Sequence, residues 1–227
     1  MTTSSTENPP DTFEEMLRRA EDAAADLRYQ EALRHVLEAL KLAEEQQDAL
    51  RQSRAHAEHS RVLCKLSLLA DAVTAAHAAL RLAQDDPVCG ARALGVLGTA
   101  NQALLPPEAH FAFYESMLEK ARQAGHQGLE ASAIRGICIA HLIQHQMAVM
   151  GGASADDPVV RSYADSALKY AREATRLCEV VGDAEQGNAY LSRHLQVGAL
   201  IQLGDLTEAR RESEAMLQAA AGLPRPD

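Results

Sequence analysis

The stretch "LGDLTEAR", Leu203 to Arg210, decides how this chain reads. Gly204 suits the left-handed residue that ends a helix, because without a Cβ it enters positive φ at no steric cost. Asp205 suits the cap of a following helix, and Glu208, three residues on, completes a capping box. Ala209 is small enough for two helix backbones to approach closely. One helix stops and another starts within a few residues, so the segment reads as the hinge of an antiparallel helix pair. Looser echoes stand in "LRYQEALR", Leu27 to Arg34, and "LLADAVTA", Leu68 to Ala75.

Outward from that hinge, the same punctuation recurs. Thr12 stands three residues before Glu15, and Asp86-Pro87 and Asp157-Pro158 each offer a cap followed by proline at the first helical position. Asp183 with Gln186 gives a further box, and Gly125 and Gly182 follow apolar-periodic runs as stops. These signals predict helices at 12–26 and 28–46, 50–66 and 68–84, 87–104 and 107–124, 128–149 and 158–181, and 184–203 and 206–221. Five pairs fill the chain, and no alternating stretch bounded by turn residues predicts a strand. The fold class expected is all-α, with a disordered tail at 1–11, one repeat domain at 12–222, and a tail or linker at 223–227.

Composition agrees. With 47% hydrophobic and 24% charged residues over 227 positions, the chain can bury a core, and with three Phe, five Tyr and no Trp that core must be built from aliphatic residues that favour close helix packing. A formal charge of −10 disfavours nucleic acid, whose phosphates need clustered cations. No run reaches the roughly 18 apolar residues of a membrane helix, and "MTTSSTENPPD" lacks the basic and apolar parts of a signal peptide, so a cytoplasmic protein is expected. Cys64, Cys89, Cys138 and Cys178 are too far apart for a zinc knuckle and read as reduced, gap-filling thiols.

The pattern resembles the tetratricopeptide repeat, a pair of antiparallel helices with small residues at fixed positions. Ala20, Ala32 and Ala39 match its three small positions and Tyr29 its aromatic. Ala72 with Ala79, Ala167 with Ala174, and Gly204 with Ala209 are similar, and Gly98 and Gly136 match in first helices. The third pair departs, with "LLPPEAHF" at its turn. The repeats are long and degenerate, like the N-terminal arrays of bacterial signalling regulators that precede an output such as a diguanylate cyclase or a DNA-binding helix-turn-helix. The resemblance implies a solenoid, its concave side lined by the first helix of each pair, that binds a protein or peptide without catalysis and without a cofactor. Leu17 and Glu21 stand where arrays that clamp a peptide's terminal carboxylate carry Lys and Asn, so that subtype is not expected.

Enzyme signatures such as a phosphate loop, HExxH or a nucleophile elbow are missing from the sequence. Arg54, Glu58, Arg61 and Lys65 step by three or four and form one stripe, which the repeat places on the concave side. Such a strip in an acidic protein favours an acidic peptide, a carboxylate or a phosphate, though it also reads as a solvated face. Arg92, Thr99 and Gln102 continue the polar line, and Asn188, Ser192 and Gln196 repeat it in the fifth pair. Arg135 is a lone charge in "ASAIRGICIA", either paired inside or an anion anchor. Cys138, His141 and His145 fall within about 60° of one another on a helix and are candidates for a soft metal or for buried polar residues. His56 and His59 read as a solvated face. The insertion "QMAVMGGASADDPVVRSY" reads as a lip over the groove carried by Met147 and Met150, or as a disordered connection. The alternatives to peptide binding are a small-molecule or metal sensor and a homodimerisation module.

Overall fold

The computed structural model describes residues 12–102, 104–181 and 186–221, the side chains of 181, 186–188, 220 and 221 excepted. The expectations for the terminal tails, for Gly182 as a stop and for the Asp183 box lie outside the described residues. The elements are α1 (Phe13–Ala25), α2 (Tyr29–Glu45), α3 (Ala49–Lys65), α4 (Leu69–Leu82), α5 (Pro87–Asn101), α6 (Pro107–Gln123), α7 (Gln127–Met150), α8 (Pro158–Val181), α9 (Gln186–Gln202) and α10 (Leu206–Ala221). Consecutive helices pack as pairs, and each pair stacks on the next. No helix among the described residues is long and apolar enough to cross a membrane.

The predicted caps form. Thr12 accepts from the Glu15 backbone N–H at 3.2 Å, Asp86 from Cys89 at 2.7 Å, Asp157 from Val159 at 2.8 Å and Asp205 from Glu208 at 3.1 Å. The carboxylate of Glu15 bonds instead to Arg18 and Arg19, so only the Thr12 half of that box is made through it. Gly125 and Gly204 take positive φ, 63° and 78°, as the stop reading requires. The first three turns do the same without glycine: Leu27, Gln47 and Ser67 sit at φ 62°, 54° and 60°. Each closes a paired end-of-helix motif, as where Arg28 N–H reaches the Ala23 carbonyl at 2.8 Å and Leu27 N–H reaches Ala24 at 3.2 Å. A left-handed residue with a Cβ costs about 1–2 kcal/mol, and packing of the flanking helices holds it there.

The core is layered, not central. Ala20, Ala23, Ala32, Val36 and Val62 join α1, α2 and α3; Leu63, Ala72, Ala75 and Ala100 join α3, α4 and α5; Cys138, Ala167, Ala171 and Ala199 join α7, α8 and α9. Each layer mixes one pair with the first helix of the next, because a lone pair cannot bury its apolar side. The small residues on which the repeat resemblance rests lie in these layers: Ala20, Ala32, Ala39, Ala72, Ala79, Ala167 and Ala174 are all fully buried. At the divergent turn of the third pair, Pro107 starts α6, and the Asn101 carbonyl accepts from the Leu104 and Leu105 backbone N–H groups at 2.9 Å and from the buried His110 Nε2 at 3.2 Å, which ties α6 to the end of α5.

The insertion is neither lip nor disordered connection over most of its length. The α7 helix runs through Met147 to Met150 and ends on Gly151 and on Gly152 at φ 94°. Asp157 then caps α8, leaving a short loop.

Candidate ligand-binding groove

The first helices meet across a cavity of about 730 Å³, within the ~300–1,000 Å³ typical of ligand sites. The helix α1 brings Leu17 and Glu21 to it, α3 brings Arg54, Glu58, Arg61 and Lys65, α5 brings Arg92, Val96 and Thr99, and α7 brings Ser132, Arg135 and Ile139. Gln102, just past α5, lines it too, and Tyr114 and Met117 reach in from α6 as its floor. All eight candidates from the first four pairs therefore converge. Those of the fifth pair do not: Ser192 and Gln196 are buried and lie outside the cavity lining, and the side chain of Asn188 lies outside the described residues.

The floor is made by glycines. A Cβ on Gly136 would stand 2.3 Å from the Tyr114 ring, one on Gly98 2.9 Å from it, and one on Gly95 2.9 Å from the Met117 sulfur. Only bare backbone lets α5 and α7 close on these two side chains. Gln102 Nε2 donates to the Tyr114 hydroxyl at 3.4 Å, and burial raises the phenol above its ordinary pKa.

The charges divide into occupied and available. The Arg54 guanidinium donates to both oxygens of Glu14 at 2.7 and 2.9 Å and lies 5.4 Å from the Phe13 ring centre, so it ties α3 to α1. Arg61 donates through Nε to Glu58 at 2.8 Å and again through its terminal nitrogen. Arg135 is held by the Ser132 hydroxyl at 2.8 Å and reaches the Cys178 sulfur at 3.9 Å. Arg92 and Lys65 are exposed, and among the described residues neither has a carboxylate within ion-pair distance. Across from them, desolvation raises the Glu21 carboxyl, with the like charge of Glu58 second, against the opposing pull of Arg61 and Arg92.

The metal candidates separate. Burial pushes the Cys138 thiol up to about 12, and its side chain packs on Ala167, Ala171 and Ala199. His141 stacks on Tyr170 with ring centres 5.6 Å apart and tilts against Phe111 at 4.7 Å. Among the described residues no group of three His, Cys, Asp or Glu side chains could hold a metal ion. Sharing a sector of α7 put Cys138, His141 and His145 together in sequence, but that sector faces the packed helices α6, α8 and α9, where aromatic and alanine partners fill the space. His56 and His59 are likewise half-buried, not a solvated face, and feel charges of α2 and α4 through Glu44, Arg81 and Asp71.

Desolvation holds all four of these imidazoles below the ordinary histidine value. A base with a lower pKa folded than unfolded binds fewer protons in the native state, so its contribution is full above the unfolded value near 6.5 and is lost as pH falls from there through the lowered folded value. The melting temperature is expected to drop between about pH 7.5 and pH 5.5. His141→Phe, which keeps a ring between Phe111 and Tyr170, is expected to flatten part of that drop. A melting temperature independent of pH across this window would contradict the assignment.

With the groove and the stacked pairs in place, solved structures of similar shape prove to be repeat proteins. A Rap protein complexed with Competence and Sporulation Factor superposes with a TM-score of 0.73 at 13% identity, over 94% of this chain and 56% of that one. The fold is a tetratricopeptide-type solenoid. The quorum sensor NprR from B. thuringiensis gives 0.62 at 16% identity, over 94% of this chain and 55% of its own, and a Podosopora anserina kinesin light chain protein with TPR-like repeats gives 0.59 at 11%, over 96% and 100%. This solenoid thus spans about half the length of the Rap and NprR chains. No family model matches the sequence, and no curated protein does.

The residues that the sequence reading left out are chiefly the apolar ones. A signal for them exists: 38 residues on from Arg54, Glu58 and Arg61 stand Arg92, Val96 and Thr99, and 40 further on stand Ser132, Gly136 and Ile139, all of which line the cavity. The repeat register therefore finds Val96, Gly136 and Ile139, which a search for polar stripes passes over. Tyr114 and Met117 come from a second helix, and no first-helix register finds them.

Proposed function

We propose that this solenoid is a non-catalytic regulatory module that binds a protein or peptide in the groove of α1, α3, α5 and α7 and conveys that binding to a signalling output. The observation that carries the reading is the cavity itself: it spans four successive first helices and is lined by five cations against two carboxylates, an excess of three in a chain whose formal charge is −10. Charge so segregated attracts an acidic partner and guides its approach. Among the structural neighbours, one is solved with Competence and Sporulation Factor and another is a quorum sensor, which supports a regulatory reading. A ligand touching α3, α5 and α7 together would favour one angle between stacked pairs over another, since each pair meets only its neighbours. The output is read as that of a bacterial signalling regulator; a diguanylate cyclase rests on the sequence resemblance alone.

A photo-crosslinking residue tests this in cells. Placed at Thr99, which is exposed on the groove, it is expected to capture a discrete partner, while at Leu37, exposed on α2, it is not. Equal capture from both positions, or none from Thr99, would refute groove binding.

A further inference from the structure

We infer that the groove joins two separate anion anchors, Arg92 and Lys65, to an apolar trough made by Val96, Met117, Leu129 and Ile139, and that its ligand is a short peptide with acidic groups beside branched or aromatic apolar residues. The inference rests on the reading of the groove as a peptide site and says what that peptide must carry.

The anchor follows from which cations are already engaged. Arg54 spends both guanidinium arms on Glu14, and Arg61 spends its own on Glu58. Arg135 is held by Ser132 and Cys178. A ligand carboxylate would have to displace Glu14 or Glu58, like for like, to use Arg54 or Arg61. Arg92 and Lys65 have no such partner among the described residues, both are exposed, and both line the same cavity on neighbouring first helices. Arg92, at the start of α5, can take a carboxylate on two parallel N–H groups, and Lys65, level with Gln102 past the other end of α5, offers three donors to a second acidic group. A cation at a cavity mouth also keeps its hydration until the ligand arrives, so the site carries little desolvation cost when empty.

The trough follows from the floor. Between α5 and α7 the apolar lining is Val96, Met117, Leu129 and Ile139 over the Tyr114 ring, interspersed with Thr99, Gln102, Ser132 and Arg135, and no carboxylate lines this end. Glu21 and Glu58 line the α1 and α3 side instead. Both carboxylates of the lining thus stand on the side away from α7, which leaves the α7 end to the apolar part of the ligand. Met117 is unbranched and adaptable, which suits a trough taking more than one apolar side chain.

A display selection tests the anchors and the trough together. A random peptide library is panned against the whole chain, against the Arg92→Gln, Lys65→Gln double variant, and against an Arg34→Gln, Lys41→Gln control on α2. All four side chains are exposed, so helix content and melting temperature are expected to be unchanged. The wild type and the control should enrich Asp or Glu next to apolar residues, and the double variant should keep the apolar preference and lose the acidic one. The best enriched peptide, synthesised, should bind the double variant about tenfold more weakly or worse, and its wild-type affinity should fall as salt rises. Enriched peptides without an acidic preference, or with one that survives in the double variant, would overturn the anchor while leaving peptide binding intact. No enrichment by the wild type, with its melting temperature raised by decanoate as an anionic amphiphile, would overturn the peptide ligand and the reading beneath it together.

Discussion

Tyr114→Ala is expected to cost about 3–5 kcal/mol of stability, the range for removing a buried aromatic ring when its surroundings cannot collapse. The ring is 4% exposed and packs among Leu94, Met117, Ala133 and Ile137 between α5, α6 and α7. The helices on either side have already reached their closest approach, because the residues that face the ring, Gly98 and Gly136, have no side chain to move into the space. The void would therefore persist and open into the groove above it. For a chain of this size, the loss corresponds to a fall in melting temperature on the order of ten degrees. A loss below about 1 kcal/mol would show that the layer repacks and that Tyr114 does not define the floor.

Gly136→Ala is expected to destabilise by about 1–3 kcal/mol, against the sign that helix propensity alone predicts. Alanine in place of a mid-helix glycine normally gains about 1 kcal/mol. Here its Cβ would stand 2.3 Å from one Tyr114 ring carbon and 2.4 Å from the next, and the ring is confined by its own layer, so backbone or ring must shift. The two substitutions should be strongly non-additive. In the Tyr114→Ala background the obstacle is gone, and Gly136→Ala should become neutral or stabilising. Thermal unfolding of the four proteins of that cycle measures the coupling directly. A Gly136→Ala single variant more stable than wild type would disprove the close packing claimed for α6 and α7.

These expectations bear on how much of the protein was open to reading before its structure. Helix ends were legible wherever a residue's own chemistry dictates the backbone: Asp86, Asp157 and Asp205 as caps, Gly125 and Gly204 as stops. The turns at Leu27, Gln47 and Ser67 gave no such sign, since there the packing of whole helices imposes positive φ on residues that do not seek it. For the site, the stripe Arg54, Glu58, Arg61 and Lys65 was legible because helical periodicity and repeat register both place it on the concave side. Its engagement was not. That Glu14, 40 residues away, would neutralise Arg54 depends on how α1 lies across α3.

The sequence by itself determined the element type, the pairing of helices and the face that α3 and α5 present, because these depend on interactions a few residues apart and on a recurring pattern of alanine and glycine. The tertiary structure alone decided which cations stay available, since ion pairs such as Arg54 with Glu14 form between distant helices. It alone turned Cys138, His141 and His145 from one helical sector into two buried side chains and a half-buried ring between aromatics, because a shared sector says nothing about what stands opposite. And it alone made a floor from Tyr114 and three glycines on two other helices, a fit set by interhelix distance, which no local pattern in the chain encodes.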